Sequence, residues 1–289
     1  MYRGGTGQWT WLAHRISGVA VVYFLTLHIF ETLQLGLGPE AYNEATLAYK
    51  QHWFRPFEFL LVMAVAYHAL NGVRVILFDY FPKLTRYRNQ IFWLGVAAFV
   101  VLTPLVGFFM LRQLIGLSLP EIFKDLRSAP YAALIVGPLA LPVLYLFWRG
   151  TALSEGRKPI LSASNSSAPP TASAFEKWAW VFMRVSGLIL VVLVFVHLYI
   201  MHIERDIVEV TGQFVQERFR ANPIWQFVDL AMLFLAWLHG LNGVRIVLTD
   251  YLRRGAPRKT VLYAIGAFGL VWLVLGGVVL FTFPMGVGV

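Results

Sequence analysis

The chain has 289 residues, of which 58% are hydrophobic and only 13% charged, with no cysteine and a formal net charge of +9. Soluble domains carry about 25% charged residues, so half the usual charge excludes an ordinary soluble domain. The missing cysteines exclude iron–sulfur ligation, thiolate haem ligation and disulfides within this chain, and the positive charge, which comes with no stacking platform or basic helix, is read as basic loops beside a membrane rather than as a nucleic-acid surface.

Apolar runs of about 20 residues are long enough to cross a bilayer. Seven are present, at about 11–35, 54–79, 91–111, 128–148, 178–202, 224–250 and 260–284. The first, HRISGVAVVYFLTLHIFE, carries Arg15 and His28; His14 and Arg15 interrupt its apolar run and no small-residue cleavage site follows, so no cleavable signal pattern is present. The second ends in HALNGVRVILFDY, which opens at His68, and the third is featureless. The fourth contains Pro130, Pro138 and Pro142 and is expected to be a kinked span, tolerated where neighbours satisfy the backbone. The stretch LSASNSSAPPTASA after it reads as a flexible linker. The fifth, MRVSGLILVVLVFVHLYI, repeats the first, with Arg184 and His197 spaced as Arg15 and His28 are, and the sixth repeats the second through HGLNGVRIVLTDY, from His239 to Tyr251. The seventh matches the third by position.

The expected fold is therefore all-α and membrane-embedded, with seven transmembrane helices arranged as two three-helix repeats. The unmatched fourth helix returns the chain to its starting side, so that both repeats run parallel. The corresponding boundaries are 1–113 for the first three-helix unit, 114–176 for the extra helix and linker, and 177–289 for the second three-helix unit. With the N-terminus inside and the C-terminus outside, the inner segments hold twelve Lys/Arg against eight on the outer side, which favours that orientation.

Each repeat has one histidine on its first helix and one on its second: His28 and His68, then His197 and His239. A single mid-membrane histidine is ordinarily an interhelical hydrogen bond, but four at repeat-equivalent positions are functional candidates. From the Trp9 and Trp178 belt, His28 and His197 lie roughly 28 Å along their helices, and from the same side His68 and His239 lie roughly 21 Å along theirs. Two tiers result. Imidazole is the usual axial ligand of b-type haem, and bundle cores build such sites from facing helices. The expectation is two bis-histidine haems b, one held by His68 and His239 and one by His28 and His197.

Gly72 and Gly243, one turn after the shallower histidines, leave room for a flat macrocycle or for close helix packing. Arg15, Arg74, Arg184 and Arg245, with His14 beside them, are candidates for holding haem propionates through charge-assisted hydrogen bonds. Asp79 with Tyr80, and Asp250 with Tyr251, end the second helix of each repeat; an Arg and a Tyr hydroxyl make a donor pair for a quinone carbonyl, and an Asp can supply protons. RISG and RVSG also fit plain helix packing through small residues. Glu58 and Asp229 sit near the opposite ends of those helices, as candidates for proton exchange or an outer quinone pocket, or as dipole-favoured helix starts. His14, His52 and His202 lack repeat partners and read as boundary residues rather than iron ligands.

LAHRISGV followed by YHALNGVRVILFDY resembles the cytochrome b subunit of succinate dehydrogenase, and FMRVSGLIL followed by LHGLNGVRIVLTDY resembles its partner, the hydrophobic membrane-anchor subunit. The resemblance covers helices 1–3 and 5–7 and implies a fused membrane anchor of a succinate:quinone oxidoreductase in a prokaryotic plasma membrane. It implies docking of an iron–sulfur subunit and a flavoprotein subunit on the inner face, with the succinate site on another chain. It further implies that Arg15, Asp250 and Tyr251 line a quinone site near that face. The family often has Ser four residues before the arginine; Trp11 stands there, so Thr10 or Ser17 is the candidate hydroxyl. Two-haem members often work with menaquinone, which is the favoured quinone. The alternatives are the anchor of a fumarate reductase or of another quinone-linked dehydrogenase, and, from a different class, a repeat-built transporter.

Overall fold

The computed structural model describes residues 6–117, 121, 174–252 and 255–283. The fourth apolar run and the linker lie outside the described residues. Among those described the fold is entirely helical: α1 (Thr6–Leu33), α2 (Pro39–Ala45), α3 (Arg55–Tyr80), α4 (Arg88–Leu111), α5 (Ala174–Tyr199), α6 (Gly212–Ala221), α7 (Ile224–Tyr251) and α8 (Ala256–Thr282), with short 3₁₀ turns between several of them. Six of these helical segments are long and apolar enough to cross a membrane, with mean hydropathy between 1.5 and 2.4.

Local chemistry sets several boundaries. Pro56 and Pro257 sit in the first turns of α3 and α8, where a missing N–H costs nothing. Glu58 lies in the first turn of α3, on the favourable end of the helix dipole. Thr211 caps α6, its hydroxyl accepting from the Phe214 N–H at 3.1 Å. Past His197, the chain winds into a π-turn at Ile200–Glu204 before leaving the helix.

Helices α1, α3, α5 and α7 pack as a ring, each against the next, with α4 outside α3 and α8 against α7 and α1. The α7–α8 contact is close: Trp237 is wholly buried, its indole N–H donates to the Gly269 carbonyl at 2.7 Å, and a Cβ at Gly269 would overlap the Leu241 side chain. One end of the ring is capped by α2 and α6. There the Gly212 N–H donates to the Asn43 side-chain carbonyl at 2.9 Å and the Asn43 amide N–H donates to the Gln213 side-chain carbonyl at 3.0 Å, over an apolar cluster of Leu35, Tyr42, Val215, Phe219 and Phe283. Gly212 is required at this crossing, since a Cβ would lie 2.5 Å from the Pro39 Cα. The other end, where α3 and α7 finish at Asp79 and Asp250, forms the mouth.

Candidate functional site

The repeated Arg-x-Ser-Gly of α1 and α5 divides into three tasks. The serines hold histidines. Ser186 Oγ lies 2.9 Å from His239 Nδ1 and donates its own proton to the Phe182 carbonyl at 2.5 Å. Ser17 Oγ lies 3.3 Å from His68 Nδ1 and donates to the His14 carbonyl at 3.0 Å. With each hydroxyl proton committed to a backbone oxygen, the ring Nδ1–H is the donor to the serine. The tautomer is thereby set, and Nε2 is left with its lone pair, which is the form a metal needs. His68 has a second acceptor, the His14 carbonyl at 3.2 Å. The glycines give the rings room: a Cβ at Gly18 would stand 2.9 Å from His68 Cε1, and one at Gly187 would stand 3.5 Å from His239 Cε1.

The arginines cross the ring of helices. Arg15, in the first half of α1, pairs with Asp250 at the end of α7 at 2.5 Å. Arg184, in the first half of α5, pairs with Asp79 at the end of α3 through Nη2 at 2.7 Å and Nε at 3.0 Å. Each guanidinium also lies over the tryptophan one turn earlier, Trp11 at 4.0 Å and Trp180 at 4.3 Å.

The four repeat-equivalent histidines meet in the pairs expected from their depths. His68 and His239 face each other with ring centroids 6.5 Å apart and planes at 80°; His28 and His197 are 6.1 Å apart at 72°. Two imidazoles on opposite sides of one metal ion, each bonded at about 2 Å with about 1 Å more to the ring centre, have centroids about 6 Å apart. Both pairs therefore fit a shared metal between them. A cavity of about 640 Å³ is lined by His14, His68 and His239 but not by His28 or His197, and its size is that of a cofactor site. Gly72 and Gly243 both line it; a Cβ at Gly243 would enter open space, while one at Gly72 would touch His14 at 3.7 Å.

The remaining candidate cations are unequal. Arg245 is chelated by Glu176 at 2.8 and 3.0 Å, with its Nε donating to Asn242 at 2.8 Å. Arg74, its counterpart, has only the neutral acceptors Asn71 at 3.0 Å and Thr10 at 3.3 Å. Three buried polar atoms facing the cavity have no hydrogen-bond partner: His14 Nδ1, Arg15 Nη1 and Arg74 Nε. His14 also stacks on His68, with centroids 3.9 Å apart and planes at 8°. Buried polar groups without partners are costly, and the two arginine donors, with the His14 ring beside them, suit an anionic or carbonyl group. Ser17, Asp250, Tyr251 and Arg245 lie outside the cavity lining; Ser17 is spent on His68 rather than turned to the mouth.

At the capped end Glu58 and Asp229 are not brought together. Glu58 accepts from Arg55 at 3.3 Å and pairs with His202 Nδ1 at 3.0 Å, and Arg55 reaches on to Asp206 at 2.9 Å. Asp229 pairs with Arg218. Sequence reading passed over Glu31, whose carboxyl takes the Tyr49 hydroxyl; burial and that carboxyl push the Tyr49 phenol up. It also passed over Glu176 and the task of Ser186. For Ser186 the signal was in plain view, two residues after the arginine in both repeats.

Comparison with known proteins follows the same lines. The model of the succinate dehydrogenase/fumarate reductase transmembrane subunit family matches residues 1–104 and 157–282. The chain is 36% identical over 124 residues, 43% of its own length and 88% of the relative's, to the succinate dehydrogenase 2 membrane subunit SdhC of Mycobacterium tuberculosis. It is 33% identical over 69 residues, 24% of its length and 59% of the relative's, to the succinate dehydrogenase hydrophobic membrane anchor subunit of Archaeoglobus fulgidus. With six membrane-crossing helices described and most of its length matched, the chain belongs to the succinate dehydrogenase/fumarate reductase transmembrane subunit family.

Proposed function

We propose that the chain is a di-haem cytochrome b anchor that carries electrons from a docked iron–sulfur subunit to membrane quinone. The observation that carries this reading is the pair of opposed histidine couples, 6.5 and 6.1 Å between centroids, with the Nδ1 of His68 and of His239 tied to a serine. Haem b bound at these couples supplies one-electron transfer. His68 and His239 would hold the haem nearer the mouth, and His28 with His197 the one nearer the cap. Ser17 and Ser186 orient the first couple, which is the role proposed for Ser17 in place of quinone contact. Arg15 and Arg74 face the propionates with the two arginine donors that lack partners, His14 beside them with its unpartnered Nδ1; Arg184 and Arg245 are already engaged by Asp79 and Glu176.

At the mouth, Arg15, Asp250 and Tyr251 form the quinone site. The Asp250 side chain, 47% exposed, can exchange protons with the aqueous phase. The fused two-repeat architecture draws support from the two separate stretches matched by one family model, and from relatives named as an SdhC membrane subunit and as a hydrophobic anchor. On this reading the units divide at 1–113, 114–176 and 177–289, the expected span at 128–148 lying outside the described residues. The N-terminus lies on the cytoplasmic side of a prokaryotic plasma membrane, with the iron–sulfur and flavoprotein subunits on that side and menaquinone as the favoured quinone. The family's description covers fumarate reduction as well, so the complex is to be assayed in both directions.

The test is a haem count by pyridine haemochrome on the purified complex. Two haems b per chain are expected, falling to one in His28→Ala and in His239→Ala. A colourless complex, as a transporter would give, refutes the reading.

A further inference from the structure

The motif is present twice, but the two repeats meet the cavity differently: Arg74 lines it, whereas Arg245 and Glu176 lie beside it in an adjoining space that shares Met183, Arg184 and Ile246 with it. Residues of α1 correspond to residues of α5 at a constant offset, Arg15 to Arg184 and Ser17 to Ser186. At that offset Gly7 corresponds to Glu176, Thr10 to Ala179 and His14 to Met183. On α3 and α7, Asn71 corresponds to Asn242 and Arg74 to Arg245. A ligand with one anionic edge would find an arginine pair on either flank if the repeats were identical.

They are not identical in what those arginines have left to give. Arg245 spends Nη1 and Nη2 on the Glu176 carboxylate and Nε on Asn242. Arg184 spends Nε and Nη2 on Asp79 and Nη1 on the Trp180 carbonyl. Met183 offers no donor. On the first flank Arg74 Nε, Arg15 Nη1 and His14 Nδ1 are all buried without a hydrogen-bond partner. The carboxylate that would quench Arg74 is absent because Gly7 stands at the position of Glu176, and a Cβ there would meet nothing within 4 Å.

From this asymmetry we infer that Glu176 is a positioning residue, which directs the anionic edge of the bound cofactor to the first repeat by occupying Arg245 in the second. The inference rests on the haem reading above and adds to it which way round the mouth-side haem sits. Glu176 plays, inside the protein, the part that a propionate plays opposite Arg74. Its side chain is 49% exposed and that of Arg245 22%, so the effect comes from chelation of the guanidinium donors more than from long-range charge.

The experiment is Soret circular dichroism and low-temperature EPR of the assembled, haem-loaded complex carrying Glu176→Gln, which keeps the shape and removes the charge. In wild type a single orientation of the mouth-side haem is expected, with one set of g values. In E176Q the reversed orientation rises roughly tenfold, the equivalent of about one charge-assisted hydrogen bond changing sides, and appears as a second set of g values with a reshaped Soret dichroism. Adding Arg245→Gln to E176Q removes that second population, which a merely loosened site would not do. Should E176Q fail to assemble, Gly7→Glu reads the same balance from the other flank, because it quenches Arg74 and also populates the reversed orientation. Unchanged g values and dichroism in E176Q or in G7E at full haem content overturn the inference and leave the haem reading standing. A wild-type complex without haem overturns both.

Discussion

Replacing Ser186 by Ala removes the hydrogen-bond partner of His239 Nδ1, at 2.9 Å, while the helix itself loses only a side-chain bond to its own backbone. Once that acceptor is gone, the Nδ1–H becomes a partly buried donor with nothing to bond, which costs about 1–3 kcal/mol. If the ring turns to recover a partner, Nε2 leaves its line with His68, and the loss falls on metal binding instead. Either way the complex should release the mouth-side haem roughly 5- to 150-fold more readily, in the range expected when an outer-sphere partner of a ligating histidine is removed. Ser17→Ala should cost less, because His68 Nδ1 keeps the His14 carbonyl at 3.2 Å. The assay is transfer of haem to excess apomyoglobin, followed in the Soret band, from wild type, S17A and S186A complexes of equal initial haem content. The expected order of release is S186A fastest, then S17A, then wild type. An S186A complex that holds haem as firmly as wild type, or that is outrun by S17A, refutes the tautomer argument.

The two motif glycines separate in the same way. Gly18→Ala puts a methyl 2.9 Å from His68 Cε1 and should displace the ring at a cost of about 1–3 kcal/mol, visible as reduced haem content and a shifted α-band, whereas Gly187→Ala, at 3.5 Å, should be tolerated. Equal spectra for the two variants would contradict the contact geometry. Asp79→Asn leaves Arg184 without its carboxylate; with side chains 20% and 30% exposed the loss should be about 1 kcal/mol, read as a melting temperature lower by about 2–4 °C in detergent. At the capped end Glu58→Gln should be the more damaging change, about 3 kcal/mol, because Arg55 and Glu58 are 4% and 7% exposed and the buried arginine loses one of its carboxylate partners. A thermal melt ranking D79N below E58Q would overturn that comparison.

Much of this architecture could be read before any coordinates. Helices that must satisfy their own backbone in lipid announce themselves by length and hydropathy, and six of the seven runs fall, to within two residues, inside described membrane-crossing helices. The depths of the histidines followed from rise per residue alone, because a membrane-crossing helix is nearly a ruler. For that reason the pairing of His28 with His197 and of His68 with His239 was legible. The fourth run lies outside the described residues.

What tertiary structure decided is which side chain serves which. Long helices that are apolar on every face carry no periodic stripe that says what each face meets. The sequence therefore could not say that Ser17 and Ser186 turn to histidines on the next helix, or that Arg15 passes over its own repeat to reach Asp250, 235 residues away. Nor could it separate Arg74 from Arg245, identical in motif yet opposite in what remains free to bond. That difference depends on Glu176, which lies in another helix and meets Arg245 only when α5 packs against α7. Local pattern sets where a polar group sits along the membrane normal. Its partner is set by the helix packed beside it, and that is a property of the assembled bundle.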